Sequence, residues 1–141
     1  MIKRPFTTLI SAMAVVAVTA TGLLAASLQL GPDGDTVTID SFKAVVAQSP
    51  DTIHIIDVRD PAEFEQGHVA GAVNLSIDDL EDKVAELPSD KPIVFVCSTG
   101  ARSGEAYDIV KLLREDLEVY FVNAEITYNP DGTQTYVPLE G

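Results

Sequence analysis

The chain has 141 residues, enough for one ordinary domain. Its acidic residues outnumber the basic ones by 22 to 9, a net charge of −13, which disfavours binding to nucleic acid or to an anionic membrane surface. Hydrophobic residues make up 46% of the chain, a globular rather than a disordered composition. The single cysteine excludes an intrachain disulfide and a cysteine-rich zinc site.

The first part of the chain has the pattern of a targeting segment. No charged side chain lies between Arg4 and Asp33, and the basic start is followed by a run of Ala, Val, Leu and small polar residues. Residues 1–26 are therefore predicted to be a secretory signal peptide or, alternatively, an uncleaved membrane anchor, since a bilayer span needs about 20 apolar residues. Polar residues dilute the apolar run, which favours cleavage. Both alternatives predict an exported domain, either periplasmic or anchored to the outer face of the inner membrane, and the leader is its only predicted membrane contact.

Strand and helix patterns alternate through a predicted domain of residues 36–141, which follows a predicted linker at 27–35. Short β-branched runs predict strands, and apolar residues at helical spacing predict helices. The strands are expected at 37–39, 53–58, 73–75, 93–96 and 119–122. The helices are expected to begin at Asp40 or Ser41, Asp60, Ser76 and about Ser103. Such alternation predicts an α/β domain with a mainly parallel central sheet and helices on both faces. A Pro-Asp-Gly turn between β-forming residues adds a C-terminal β-hairpin over 125–137.

The strand at 93–96 leads directly into Cys97 and a loop of small residues that ends at Arg102. In parallel α/β sheets, ligands bind beyond the carboxyl ends of the strands. Small side chains allow the backbone to turn tightly so that several N–H groups point at one centre. The start of the next helix and Arg102 add positive charge. These features favour a thiolate, the form of cysteine that attacks sulfur or phosphorus.

A lone cysteine at the end of a buried strand is more often an inert, small apolar residue. Two features favour a chemical role for Cys97 instead. The residues that follow it, Ser-Thr-Gly-Ala-Arg, do not form an ordinary tight turn. An unpaired thiol in an exported protein is also a liability in an oxidising compartment unless it has a use.

Two segments of the chain resemble the rhodanese family of sulfurtransferases. Residues 97–103, Cys-Ser-Thr-Gly-Ala-Arg-Ser, are similar to the family's active loop of Cys, four residues, Arg and Ser. Residues 57–75 are similar to its upstream signature, and the resemblance covers roughly residues 36–122. It implies a compact α/β domain in which Cys97 accepts a sulfane sulfur, becomes a persulfide and passes the sulfur to a thiophilic acceptor. No metal or organic cofactor is implied.

The resemblance also implies roles for the residues around the cysteine. Backbone amides of the loop would hold the sulfur and Arg102 would attract the donor, giving a predicted substrate-binding set of Ser98, Thr99, Gly100, Ala101, Arg102 and Ser103. The expected partners are a small anionic donor such as thiosulfate and a cyanide or thiol acceptor. Asp57 and Arg59 end the neighbouring strand in the family's arrangement, and they are expected to form an ion pair under the loop.

Two other functions remain as alternatives. The domain could be a non-catalytic persulfide carrier or binding module that serves a partner protein. It could also be a cysteine-based phosphatase or arsenate reductase, but related enzymes of that kind have five residues between Cys and Arg, whereas this loop has four.

Other residues of the upstream segment are expected to have structural roles. Glu63 and His68 are predicted to be structural hydrogen-bonding residues, and His54 to be packed in the core. The chain departs from the family after residue 122, where the acidic hairpin replaces the usual Gly-rich turn and Trp-containing segment.

Overall fold

A computed structural model of the protein describes residues 25–139. The predicted leader, 1–26, therefore lies outside the described residues except for its last two. In the described part of the chain, no helix is long and apolar enough to cross a membrane. The predicted linker, 27–35, contacts the domain: Leu28 packs against the core and Leu30 forms an antiparallel bridge with Val37.

Four short strands form a parallel sheet in the order β2-β1-β3-β4, and a separate antiparallel pair follows. The described residues also contain two short 3₁₀ turns, at Pro50–Thr52 and Val84–Glu86. The helices and strands in chain order are α1 (Ile39–Gln48), β1 (His54–Asp57), α2 (Pro61–Glu65), β2 (Val73–Asn74), α3 (Ile77–Lys83), β3 (Ile93–Val96), α4 (Ala101–Leu113), β4 (Val119–Phe121), β5 (Ala124–Tyr128) and β6 (Gln134–Pro138).

The core lies on both faces of the parallel sheet. All four residues of the central strand β3 are buried, and its side chains alternate between two apolar clusters. Val94 and Val96 belong to the cluster that includes the buried apolar residues of α1. Phe95 and Cys97 belong to the cluster formed with α3 and α4. The prediction of a mainly parallel sheet with helices on both faces is confirmed.

The predicted strand at 37–39 is wrong in extent. Thr36 and Val37 make only isolated bridges, and α1 already begins at Ile39 because the N–H of Phe42 donates to the carbonyl of Thr38 over 3.0 Å. Helix α4 likewise begins at Ala101, two residues earlier than predicted.

The prediction that His54 is packed in the core is also wrong. Its side chain is 31% exposed, and Nε2 lies 2.8 Å from Oδ1 of Asp90. His54 is the first residue of β1, and its burial is only partial, unlike that of the three residues that follow. At this partly exposed end of the strand, the His54 imidazole pairs with the Asp90 carboxylate.

The C-terminal hairpin is present and spans Ala124 to Pro138, with Ile126 opposite Tyr136. It does not extend the parallel sheet. Instead, β5 lies against the loop that follows β3, where the N–H of Ile126 donates to the carbonyl of Ser98 over 2.8 Å. The hairpin therefore packs beside the segment that contains the cysteine.

Candidate active site

Strand β3 delivers Cys97 to the carboxyl edge of the sheet, and the residue is fully buried. Gly100 has a φ of +80°, which turns the chain so that its N–H donates to Cys97 Sγ over 3.1 Å. The hydroxyl of Ser103 lies 3.5 Å from the same sulfur. The Gly100 N–H is thus a donor to a sulfur that is closed off from solvent, while the Cys97 thiol donates to the Ser103 hydroxyl oxygen.

Glycine at position 100 meets two requirements of the loop. The left-handed backbone conformation is unfavourable for residues with a Cβ. A Cβ here would also lie 2.9 Å from Oδ1 of Asn123 and 3.1 Å from Cδ1 of Leu139. Gly100 precedes the first residue of α4 as its N-cap, so the same turn positions both the helix start and the sulfur.

Arg102 is already paired with a carboxylate from α2. Its Nη1 lies 2.7 Å from Oε2 of Glu63 and its Nη2 lies 2.9 Å from Oε1, and Nη2 also donates to the Ser98 hydroxyl over 3.0 Å. The hydrogen bonds from Arg102 lower the pKa of Glu63 to about 2, so this carboxylate is ionised at neutral pH. The guanidinium predicted to attract a donor therefore has an internal partner.

Asp57 and Arg59 form a buried ion pair next to the active loop. Asp57 is 0% exposed and Arg59 is 3% exposed. Arg59 Nη2 lies 2.7 Å from Oδ2 of Asp57, and its Nε lies 2.9 Å from Oδ1. Nη2 also donates to the carbonyl of Gly67 over 2.7 Å. Asp57 is paired in register with Val96, the residue before Cys97, so the ion pair lies beside the strand end that carries the thiol.

Tyr128 of β5 joins this ion pair to the active loop. Its hydroxyl donates to the backbone carbonyl of Cys97 over 3.1 Å, and the Arg59 guanidinium carbon lies 3.6 Å from the centre of its ring. Burial raises the pKa of Tyr128, so the phenol remains a hydrogen-bond donor at neutral pH. Sequence reasoning missed this residue because it lies 31 positions after Cys97 and belongs to no motif there.

The other residues singled out from the sequence make no hydrogen bond to the sulfur. Thr99 and Ala101 are exposed. His68 has the local structural contacts expected of it: its Nδ1 lies 2.9 Å from the Phe64 carbonyl and its ring stacks on that of Phe64. Among residues 25–139, no cluster of three or more His, Cys, Asp and Glu side chains could hold a metal ion.

The sequence signal for the Glu63 contact lay in α2. An Asp followed three residues later by Glu, at the start of a helix, is the pattern of a capping box. The Asp60 side chain and the Glu63 backbone form one half of that box, and the Asp60 N–H donates to Oε2 of Glu63 over 3.2 Å to form the other. The capping pattern predicts that the Glu63 carboxylate lies near the first turn of α2, but not that it reaches Arg102.

Two curated proteins are similar to parts of this chain. The uncharacterised protein YqhL of Bacillus subtilis is 38% identical over 71 residues, which cover 50% of this chain and 53% of YqhL. The thiosulfate sulfurtransferase PspE of Escherichia coli is 36% identical over 59 residues, covering 40% of this chain and 57% of PspE. The chain thus spans little more than half the length of these two curated relatives.

Solved structures show the same fold. The human single-domain sulfurtransferase TSTD1 superimposes with a TM-score of 0.55 at 22% identity, covering 62% of this chain and 88% of that one. The rhodanese-like domain family matches residues 38–127. This range contains the parallel sheet, the Cys97 loop and the Asp57–Arg59 and Glu63–Arg102 ion pairs, and it ends one residue before Tyr128. On that match, which covers more than half of the sequence, the chain belongs to the rhodanese-like domain family.

Proposed function

We propose that this protein is a sulfurtransferase that carries a sulfane sulfur on Cys97. The observation that supports this most directly is the contact between Cys97 Sγ and the Gly100 N–H, 3.1 Å apart, at the carboxyl end of the central strand. A backbone N–H aimed at sulfur stabilises negative charge on it, as a thiolate or as a persulfide. The sulfurtransferase PspE, which is similar over part of the chain, supports the same chemistry.

With thiosulfate as donor, the Cys97 thiolate attacks the outer sulfur of thiosulfate. A new S–S bond forms, the S–S bond of thiosulfate breaks, and sulfite leaves with its electron pair. A cyanide ion or a thiolate then attacks the outer sulfur of the persulfide, producing thiocyanate or a new persulfide, and the Cys97 thiolate is regenerated. The Gly100 N–H is directed at the sulfur in both steps, and neither step needs a redox cofactor.

The size of the loop supports sulfur transfer over phosphate chemistry. Four residues separate Cys97 from Arg102, and Gly100 turns inward among them to reach the sulfur. Ser103 fills the other side of the sulfur at 3.5 Å. This arrangement suits one additional sulfur atom better than a tetrahedral oxyanion. Because Cys97 is fully buried, loading also requires the rim of the loop to move aside.

Intact mass spectrometry after incubation with thiosulfate tests this proposal. Because the chain has one cysteine, a mass gain of one sulfur atom that cyanide reverses identifies Cys97 as the carrier. Cys97→Ser is expected to show no gain, and a gain in this variant would refute the assignment.

A separate measurement distinguishes an enzyme from a carrier. Continuous formation of thiocyanate from thiosulfate and cyanide indicates catalysis. A carrier that serves a partner protein would take up one sulfur and then stop. Arg102→Ala is expected to weaken the use of thiosulfate while leaving the fold nearly intact, since the side chain is 26% exposed at the rim.

We also propose that the domain is exported to the periplasm, with a leader that is cleaved. The basic start and the uncharged run that follows it support this, and an uncleaved anchor on the outer face of the inner membrane is the alternative. Cell fractionation combined with the mass of the mature protein tests it. A full-length mass in the cytoplasmic fraction would refute export.

A further inference from the structure

We propose that Glu63 is a specificity-determining residue, whose carboxylate competes with the anionic end of a sulfur donor for Arg102. The inference rests on the proposed function, in which Arg102 attracts the donor. It assigns to Glu63 a role in substrate selection in addition to its structural role in the capping box of α2.

The guanidinium of Arg102 is already engaged by the carboxylate of Glu63. Both terminal nitrogens of its guanidinium face the two carboxylate oxygens of Glu63, at 2.7 and 2.9 Å, which is the bidentate geometry that an oxyanion would otherwise take. Nη2 also binds the Ser98 hydroxyl at 3.0 Å. The pair is therefore electrically neutral as it stands, and an anionic donor must displace or share the carboxylate.

The partial exposure of the Arg102–Glu63 pair makes such an exchange feasible. The side chains of Arg102 and Glu63 are 26% and 38% exposed, whereas the Asp57–Arg59 pair is almost wholly buried. Water can solvate the Glu63 carboxylate once it leaves the guanidinium, so the exchange does not strand a buried charge. At the same time, Glu63 stays close to Arg102 because the Asp60 N–H holds Oε2 at 3.2 Å. The competitor is thus part of the same chain and always present.

The charge of the donor determines how strongly Glu63 opposes its binding. A dianion such as thiosulfate gains most from Arg102, and it is also repelled most by a retained Glu63 carboxylate. A monoanionic donor such as methanethiosulfonate presents the same outer sulfur with one negative charge fewer. Transfer from it forms the same Cys97 persulfide and releases methanesulfinate with the electron pair of the broken bond. Glu63 should therefore penalise thiosulfate more than methanethiosulfonate.

Binding measured without chemistry tests this most directly. In a Cys97→Ser background, Glu63→Gln is expected to lower the Kd for thiosulfate by about three- to fivefold, the range for partly exposed charge pairs, with a smaller change for methanethiosulfonate. Glu65→Gln is the matched control, because Glu65 is an exposed residue of the same short helix and its loss changes the net charge equally. This control should leave both Kd values unchanged.

Glu63→Asp provides a second variant, because it keeps the charge while altering the cap of α2. Its Kd for thiosulfate should stay close to that of the Cys97→Ser protein with Glu63 unchanged. The proposal is overturned if Glu63→Gln weakens thiosulfate binding or leaves it unchanged, or if no variant binds thiosulfate. It is also overturned if Glu65→Gln or Glu63→Asp lowers the Kd for thiosulfate as much as Glu63→Gln does. Failure of the proposed function would appear separately, as the absence of sulfur loading on Cys97 in the protein with its native cysteine.

Discussion

Replacing Gly100 by alanine tests the link between loop conformation and the chemistry of Cys97. The φ of +80° at this position places an alanine in the left-handed region, which costs about 1–2 kcal/mol. The new Cβ would also approach Oδ1 of Asn123 to 2.9 Å and Cδ1 of Leu139 to 3.1 Å. Both atoms lie at the ends of side chains that can shift, so the backbone conformation dominates. We expect a loss of about 1–2 kcal/mol in the free energy of unfolding.

The same substitution should slow sulfur loading. If the loop relaxes to relieve the strain, the Gly100 N–H turns away from Cys97 Sγ, to which it donates over 3.1 Å. A hydrogen bond to an ionised group contributes about 1.5–3 kcal/mol, so its loss should reduce the rate of persulfide formation about tenfold or more. Urea unfolding measures the first effect, and mass spectrometry after timed exposure to thiosulfate measures the second.

Gly34→Ala is the matched control for this experiment. Gly34 has a φ of +79°, and nothing lies within 4 Å of a Cβ added there. It should lose a similar free energy of unfolding to Gly100→Ala but load sulfur at the normal rate. Normal sulfur loading by Gly100→Ala, or equally slow loading by Gly34→Ala, would contradict the expected link between the Gly100 conformation and the reactivity of Cys97.

Three further predictions concern the residues around the loop. Asp57→Asn should lower the free energy of unfolding in urea by about 3–5 kcal/mol because it leaves the buried Arg59 without its charge partner, and a loss below about 1 kcal/mol would contradict this. Tyr128→Phe keeps the ring on Arg59 but removes the bond to the Cys97 carbonyl, so urea unfolding should show a loss of about 1–2 kcal/mol; unchanged stability would argue against that bond. Because Arg102 lowers the pKa of Glu63 from 4.5 to about 2, the pair stabilises the fold above about pH 4.5 and loses this effect as the pH falls toward 2. The stability difference between the native protein and Glu63→Gln should therefore be constant near neutral pH and shrink in that acid range, and a difference that grows on acidification would contradict the pairing.

Some features of the fold could be read from short stretches of sequence. The β-branched run at 93–96, the capping residue Asp60 and the turn before Thr133 each specify local structure, because strand, cap and turn preferences act between residues close in the chain. The start of α4 was less predictable. It depends on the left-handed conformation of Gly100, and small loop residues permit that conformation without requiring it.

The pairing of charges was beyond the reach of local patterns. Arg102 and Glu63 lie 39 positions apart, and Glu63 was expected only to make structural hydrogen bonds. The exposure of His54 has a similar origin, since Asp90 is 36 positions away and the strand run alone resembles a buried one. In both cases the partner is set by how the helices and loops pack around the sheet.

Local sequence patterns were enough to predict the α/β architecture, the hairpin and the position of the lone cysteine after the strand at 93–96, because each depends on periodicity and turn chemistry within a few residues. The ion pair of Glu63 with Arg102 and the hydrogen bond from Tyr128 to the Cys97 carbonyl form only when the domain is folded. Those contacts join segments 31 to 39 residues apart, and only packing of the whole domain brings their side chains within hydrogen-bond distance.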